Sequence, residues 1–213
     1  MQVGTVSVWM TENIFSVEAL RGIVTTPLTL QSRREGREGF TLMDIIERAK
    51  LPGRRGQAQR FIDPDGVTPR ERETRWDVKL TPLWVETMRT VNVAFAEACS
   101  LAEGVRSMNP KCKRAKIEWH VMIVHPGSPD QTLHMDDAAS LGKGKRCYYT
   151  LIVPLTGHEN SGGTHFPVMS NTFASLGGAL VFDGSVLHAG KGNRSKFDRL
   201  FLYAAIFTGA DRN

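Results

Sequence analysis

Near residue 115 the spacing of apolar residues changes from a helical period to a period of two, and that switch limits the folds open to this chain. Upstream, Trp84, Met88, Val91, Phe95, Ala98 and Ala102 recur at intervals of three, four and seven. They follow Thr81 as a cap and Pro82 in the first turn, and they predict one buried amphipathic helix closed by Gly104. Downstream, "KIEWHVMIVH" (116–125) alternates. Ile117, Trp119, Val121, Ile123 and His125 share one face, and Glu118, His120, Met122 and Val124 take the other. "RCYYTLIVPL" (146–155), "GALVFD" (178–183) and "RLFLYAAIF" (199–207) are further strands, parted by Gly, Pro, Asn and Ser turns. Short strands spaced in this way close into a β-sandwich or barrel, with the upstream helices packed against it.

The first half is mixed. "TLMDIIERAKLPG" (41–53) predicts a short helix capped by Thr41 and stopped by Leu-Pro-Gly. Residues 54–75 are polar, rich in Arg and aperiodic, which predicts an exposed loop, and "RWDVKL" (75–80) alternates Trp76, Val78 and Leu80 as a strand. No internal repeat is present. The 213 residues suffice for one domain, so the expected organisation is a single domain over 1–213. In it, residues 1–115 form a helix-rich support with lid elements, and 116–208 form the β core. No apolar run approaches the ~20 residues that span a bilayer, and the N-terminus lacks a basic segment followed by an apolar one. The three cysteines, Cys99, Cys112 and Cys147, make no close pair. A reducing cytoplasmic or nuclear location is the expectation. A net charge of +5 permits an acidic or nucleic-acid partner without requiring one. "KCKRAK" (111–116) and "KGKR" (143–146) read as solvated loops.

Chemistry concentrates in the β half. "QTLHMDDAAS" (131–140) places His134 and Asp136 one residue apart just after a strand. Alone, such a triplet reads equally well as a polar turn. His188 stands at the end of a later strand, and Arg199 opens the last one, followed by Leu200, Phe201, Leu202 and Tyr203. A cation entering a core strand needs an anion, an internal salt bridge or an escape to the edge. Two imidazoles and one carboxylate on one face of an ion leave three positions open, the arrangement suited to non-haem Fe(II). The planar guanidinium of Arg199 would then take the far carboxylate of a keto-acid. Asp137 reads as a turn residue or a support for a ligand, Asp183 as a strand-end turn residue, His158 and His165 as turn-forming or rim residues of "TGHENSGGTHFP", and His120 as a surface or interface position turned away from His125.

These segments resemble a known family. "VHPGSPDQTLHMD", "YYTLIVPLTGHENSGGTHFP" and "GALVFDGSVLHAGKGNRSKFDRLFLYAAIF" are similar, in order and spacing, to the motifs of the Fe(II)- and 2-oxoglutarate-dependent dioxygenases, most of all their prolyl-4-hydroxylase-type branch. The resemblance covers roughly residues 119–208. It implies an α+β, mainly β fold: a double-stranded β-helix (jelly roll) packed against N-terminal helices. It implies iron ligation by His134, Asp136 and His188, and 2-oxoglutarate binding by Arg199. Thr150 and Tyr148 would line the cosubstrate pocket on the same strand face as Ile152, and His125 stands where relatives often carry a cosubstrate-contacting tyrosine. A second family tyrosine is replaced here by Val153-Pro154. The implied activity is hydroxylation of a C–H bond with O₂, releasing succinate and CO₂ and supported by ascorbate. Relatives that halogenate have a small residue in place of Asp136. The implied substrate is a peptidyl residue such as proline, or a small molecule. Nucleic-acid oxidative demethylation is an alternative, though the last strand lacks the extra arginine of the base-repair branch. A non-catalytic jelly-roll binding module is another.

Overall fold

The computed structural model describes residues 8–28, 41–50, 58–60, 74–136, 146–169, 171–173 and 175–208. Asp137, Lys143 and most of the polar 54–73 stretch lie outside these residues, as does the side chain of Tyr148.

Strands β1 (Val8–Thr11), β2 (Ala58–Arg60), β3 (Arg75–Lys79), β4 (Lys116–Val124), β5 (Arg146–Pro154), β8 (Ala179–Asp183) and β10 (Arg199–Thr208) form an antiparallel sheet in the order β1-β8-β5-β10-β4-β3-β2. A smaller sheet, β7-β6-β9, joins β6 (Thr164–Phe166), β7 (Asn171–Phe173) and β9 (Ala189–Gly190). Helices α1 (Val17–Thr25), α2 (Leu42–Lys50), α3 (Pro82–Val91) and α4 (Val93–Met108) supply the helical layer.

Alternation sorts the large sheet into two faces. Leu200, Leu202, Ala204 and Ile206 of β10 point outward with Trp119, Val121 and Ile123 of β4, and this face packs on the helices in the main core. Phe95 anchors the contact, with its ring 5.3 Å from Trp84 and 5.2 Å from Trp119. The inner face of the large sheet and the small sheet enclose a second core of Ile152, Phe166, Phe173, Leu180, Phe182 and Val186. Two sheets with an apolar filling between them give the sandwich that the alternation predicts and the jelly-roll core that the resemblance implies, with the described helices on one outer face.

Four local expectations are corrected. The stripe at 84–102 belongs to two helices. Asn92 is extended (φ −130°, ψ 116°). Its N–H closes α3 onto Met88 O at 2.9 Å, its Oδ1 accepts from Phe95 N at 2.9 Å, and its Nδ2 donates to Ala19 O at 2.8 Å. A side chain that caps one helix and ties down another outweighs continuity of the stripe. Val91, expected inside, is exposed. Gly104 does not end the helix; it is interior to α4, which runs on to Met108, and Pro110 restricts the extended Asn109 that follows. Beside the expected strand at 75–80, the first half adds two edge strands: β1 extends one edge of the sheet, and β2, inside the stretch expected as loop, extends the other. Finally, it is the odd-numbered residues of β4 that meet the helices, so His120 is on the inner face rather than the surface. Among the described residues no helix is long and apolar enough to cross a membrane.

Candidate metal centre

His134 and His188 are brought together by backbone. They form an antiparallel bridge in which His134 N donates to His188 O and His188 N to His134 O, each at 2.9 Å. The bridge is one rung of a longer ladder between the segments that precede His134 and follow His188. Gln131 N donates to Gly190 O at 2.8 Å, Gly190 N to Gln131 Oε1 at 2.8 Å, Gly192 N to Asp130 Oδ1 at 2.7 Å, and Asn193 N to Ser128 O at 3.1 Å.

Each imidazole is oriented in the same way. His134 Nδ1 meets Thr132 O at 2.8 Å and His188 Nδ1 meets Val186 O at 2.9 Å. A carbonyl only accepts, so Nδ1 carries the proton on both rings and Nε2 bears the lone pair. Those Nε2 atoms turn towards Asp136 Oδ1, 3.9 Å from His134 and 3.6 Å from His188. Asp136 Oδ2 accepts from Thr150 Oγ1 at 2.5 Å. His134, Asp136 and His188 thus offer three ligand atoms, all within 4.8 Å of one another. Burial lowers the pKa of His188 from its ordinary value, against the pull of Asp136, and so favours the neutral ring a metal requires. The Phe182 ring, 4.6 Å away, and Phe166, at 6.1 Å, shield it from water. The donor set fits a small divalent cation with nitrogen and oxygen preference, and among the described residues no fourth side chain joins it.

Arg199 lies on the inner face at the head of β10, 5 % exposed. Its Nη1 donates to Ser161 O at 2.6 Å, its guanidinium sits 5.6 Å from the Phe201 ring centre, and its Nε is buried without a partner. Among the described residues no carboxylate forms an ion pair with it. Burial, and then the neighbouring Arg75, push its pKa down to about 9. A buried, under-bonded guanidinium is a place prepared for an anion. Gly162 makes room for it: a Cβ there would stand 2.5 Å from Nη1 and 2.4 Å from Gly192 O, on a backbone with φ +77°.

Thr150 and Ile152 face this same interior, as alternation requires. His125 lies just beyond β4 and its Nδ1 is engaged with Asp198 Oδ1 at 2.7 Å, beside Arg199. The His158 ring lies 4.7 Å from that of exposed Phe197, tilted by 33°, and Asp183 accepts from Ser185 N at 2.9 Å in a turn.

Sequence reasoning missed Arg75. It is 5 % exposed and lies on the inner face, across Val124 from Arg199. Its Nη2 donates to Pro129 O and reaches Gly190 O and Lys191 O, each at 3.4 Å, so one guanidinium holds both ligand-bearing segments. Arg75 also opens a strand, but that strand alternates with Asp77 and Lys79, so the apolar setting that singles out Arg199 is absent there.

No family model matches the chain, and no curated protein matches it in sequence. Solved structures do. A viral collagen prolyl hydroxylase from Paramecium Bursaria Chlorella virus-1, in complex with 2OG, superposes with a TM-score of 0.57 at 14 % identity over 95 % of this chain and 96 % of that one. A prolyl-4-hydroxylase of Pseudomonas putida gives 0.57 at 12 %, over 96 % and 94 %. A Trichoplax adhaerens prolyl hydroxylase, in complex with a hypoxia inducible factor peptide fragment, gives 0.58 at 13 %, over 97 % and 86 %. With the two facing sheets, these likenesses identify the chain's fold as the double-stranded β-helix of the 2-oxoglutarate- and Fe(II)-dependent oxygenases, prolyl-hydroxylase-like in overall shape.

Proposed function

We propose that this chain is a non-haem Fe(II)- and 2-oxoglutarate-dependent oxygenase that hydroxylates a C–H bond, with a peptidyl residue such as proline as the substrate type, and releases succinate and CO₂. One observation carries the reading: two tautomer-fixed imidazoles and a carboxylate converge within 4.8 Å, and the same interior holds a buried guanidinium with an unsatisfied Nε. The first set suits the metal and the second suits the keto-acid's distal carboxylate.

In this reading His134, Asp136 and His188 hold iron, and Thr150 keeps Asp136 aimed by donating to the oxygen that does not face the histidines. Arg199 takes the distal carboxylate, with Gly162 leaving space for the guanidinium. Thr150 lines the cosubstrate pocket. His125 acts there through Asp198. When bound, iron and 2-oxoglutarate supply the activation of O₂. The protein's share is to orient both and to keep water out with Phe166 and Phe182. Three ligands leave the ion room for cosubstrate and O₂, and the carboxylate of Asp136 fills the place that halide takes in relatives that halogenate.

The test is succinate release from 2-oxoglutarate with Fe(II), O₂ and ascorbate. Wild type is expected to turn over slowly without substrate, and His134→Ala and Asp136→Ala, still folded by circular dichroism, are expected to lose that turnover. Release no greater than in a metal-free control refutes the reading.

A further inference from the structure

The segment that carries His134 has one paired edge and one open edge. His134 exchanges both main-chain hydrogen bonds with His188. No peptide bond here is cis, and a trans peptide points its C=O and its N–H in opposite directions. The C=O of Leu133 is therefore aimed away from His188, because the N–H of the same peptide, that of His134, is aimed towards it. The N–H of Met135 is aimed away for the same reason. Among the described residues neither group has a hydrogen-bond partner. An acceptor and a donor thus flank the first histidine of the metal set on a sheet edge, the feature to which an added strand pairs.

The large sheet runs past this edge. The bridge to His188 adds the His134 segment to the small sheet, while β4 of the large sheet is followed by β3 and β2. Arg75 of β3 donates to Pro129 O, so β3 lies alongside the segment that leads to the edge. On the inner face of β3 and β4 the side chains of Lys79, Glu118 and Asp77 keep 48 %, 30 % and 22 % exposure, so the small sheet does not cover this overhang. Alternation turns Leu133 and Met135 outward from His134, and they are 45 % and 41 % exposed. The antiparallel bridge sets Leu187, also 41 % exposed, beside Met135. An apolar strip therefore borders the edge on its outer side.

We infer that the substrate is an extended peptide segment that adds antiparallel to the Leu133–Met135 edge, with the residue to be oxidised opposite His134 and an apolar residue on each side of it. The inference rests on the oxygenase reading and adds how its substrate is recognised. In this pairing the residue after the target donates its N–H to Leu133 O, and the residue before it accepts from Met135 N–H. The target itself makes no main-chain bond to the edge, so a proline, which has no N–H, fits there. A parallel strand would need the target's own N–H at Leu133 O. The target side chain lies on the same side as that of His134, with β-carbons about 4.5–5.5 Å apart, and so reaches the metal set. Its two neighbours point outward onto Leu133 and Met135.

The acetylated and amidated pentapeptide Ala-Leu-Pro-Leu-Ala is compared with three relatives: one N-methylated at the leucine after proline, one N-methylated at the final alanine, and one with both leucines replaced by serine. Binding to the Zn(II)-loaded protein with 2-oxoglutarate is measured by titration calorimetry, and succinate release is followed with Fe(II). Methylating the leucine removes the donor to Leu133 O and is expected to weaken binding about tenfold. Methylating the alanine, whose N–H points away from the edge, is expected to change it less than about twofold. The serine peptide is expected to bind about tenfold more weakly than the parent. Met135→Glu, checked for unchanged melting and Co(II) binding, is expected to shift the preference before the proline from leucine to lysine. Equal losses from the two methylations, equal binding of the leucine and serine peptides, or binding of none overturns the inference. The methylation asymmetry in calorimetry, with no succinate release in any arm, counts against the oxygenase reading and supports the docked strand.

Discussion

Replacing Arg199 with methionine is expected to stabilise the protein and abolish its response to 2-oxoglutarate. The pKa of Arg199 falls well below the ordinary guanidinium value, to about 9, chiefly through burial and then through Arg75. That difference corresponds to roughly 5 kcal/mol of preference for the neutral form in the folded state. The sign follows from a depressed cation: the cost is fully present below pH 9 and fades as pH rises above it towards the ordinary guanidinium value. At pH 7.5 the folded, ligand-free protein therefore bears all of it. Arg199→Met removes the charge and keeps most of the side-chain volume. Against the gain, Ser161 O loses its donor, costing about 1–3 kcal/mol, and the Phe201 contact loses about 0.5–1 kcal/mol. The balance is a stabilisation of roughly 1–3 kcal/mol, or about 3–9 °C in Tm for a chain of this size. With Zn(II) in place of iron, 2-oxoglutarate at a hundred times its Kd is expected to stabilise wild type by about 2.7 kcal/mol and the variant not at all. Thermal unfolding with and without 2-oxoglutarate reads both arms. A variant that melts several degrees below wild type without ligand, or one that keeps the full ligand shift, refutes the reasoning.

Thr150→Val deletes the hydroxyl that donates to Asp136. Metal affinity, followed by Co(II) absorption, is expected to fall about 10–100-fold with little change in melting. Arg75→Ala leaves the carbonyls of Pro129, Gly190 and Lys191 without this donor. It is expected to cost about 2–4 kcal/mol in urea unfolding and to weaken Co(II) binding too, because both ligand segments lose a shared tie; unchanged Co(II) affinity would mean the tie does not set the ligand geometry. Cys99 is buried and its thiol is pushed up to about 11, mainly by burial. Iodoacetamide at pH 8 is expected to leave it unmodified by mass spectrometry until denaturant is added, and its stabilising share is lost as pH rises from 9 towards 11.

The parts of this fold visible in the sequence are those whose pattern is local. Half-buried strands such as Lys116–Val124 alternate because one face meets helices and the other the interior, and Arg199 is conspicuous as a charge at the head of an apolar strand, while His134, Asp136 and His188 stand out by their spacing in the connections between strands. Alternation does not say which face is which, and that is why His120 read as surface. The break at Asn92 was hidden because the apolar residues on either side stay nearly in phase, while the cause is a bond to Ala19 O far along the chain. Strands β1 and β2 are short edge strands made by pairing rather than by their own pattern. Arg75 was missed for a related reason: its partners are three carbonyls from segments more than fifty residues away.

The shared rung between His134 and His188 also governs how an ion could come and go. Pulling the two rings apart would break two main-chain bonds at once and strain the ladder behind them, so the imidazole pair acts as a fixed jaw. Asp136 follows two residues after that rung, outside the ladder, and the Thr150 hydroxyl steadies its carboxylate. Loading and release are therefore expected to proceed by a swing of this one carboxylate about its own side-chain torsions, while the two histidines stay still.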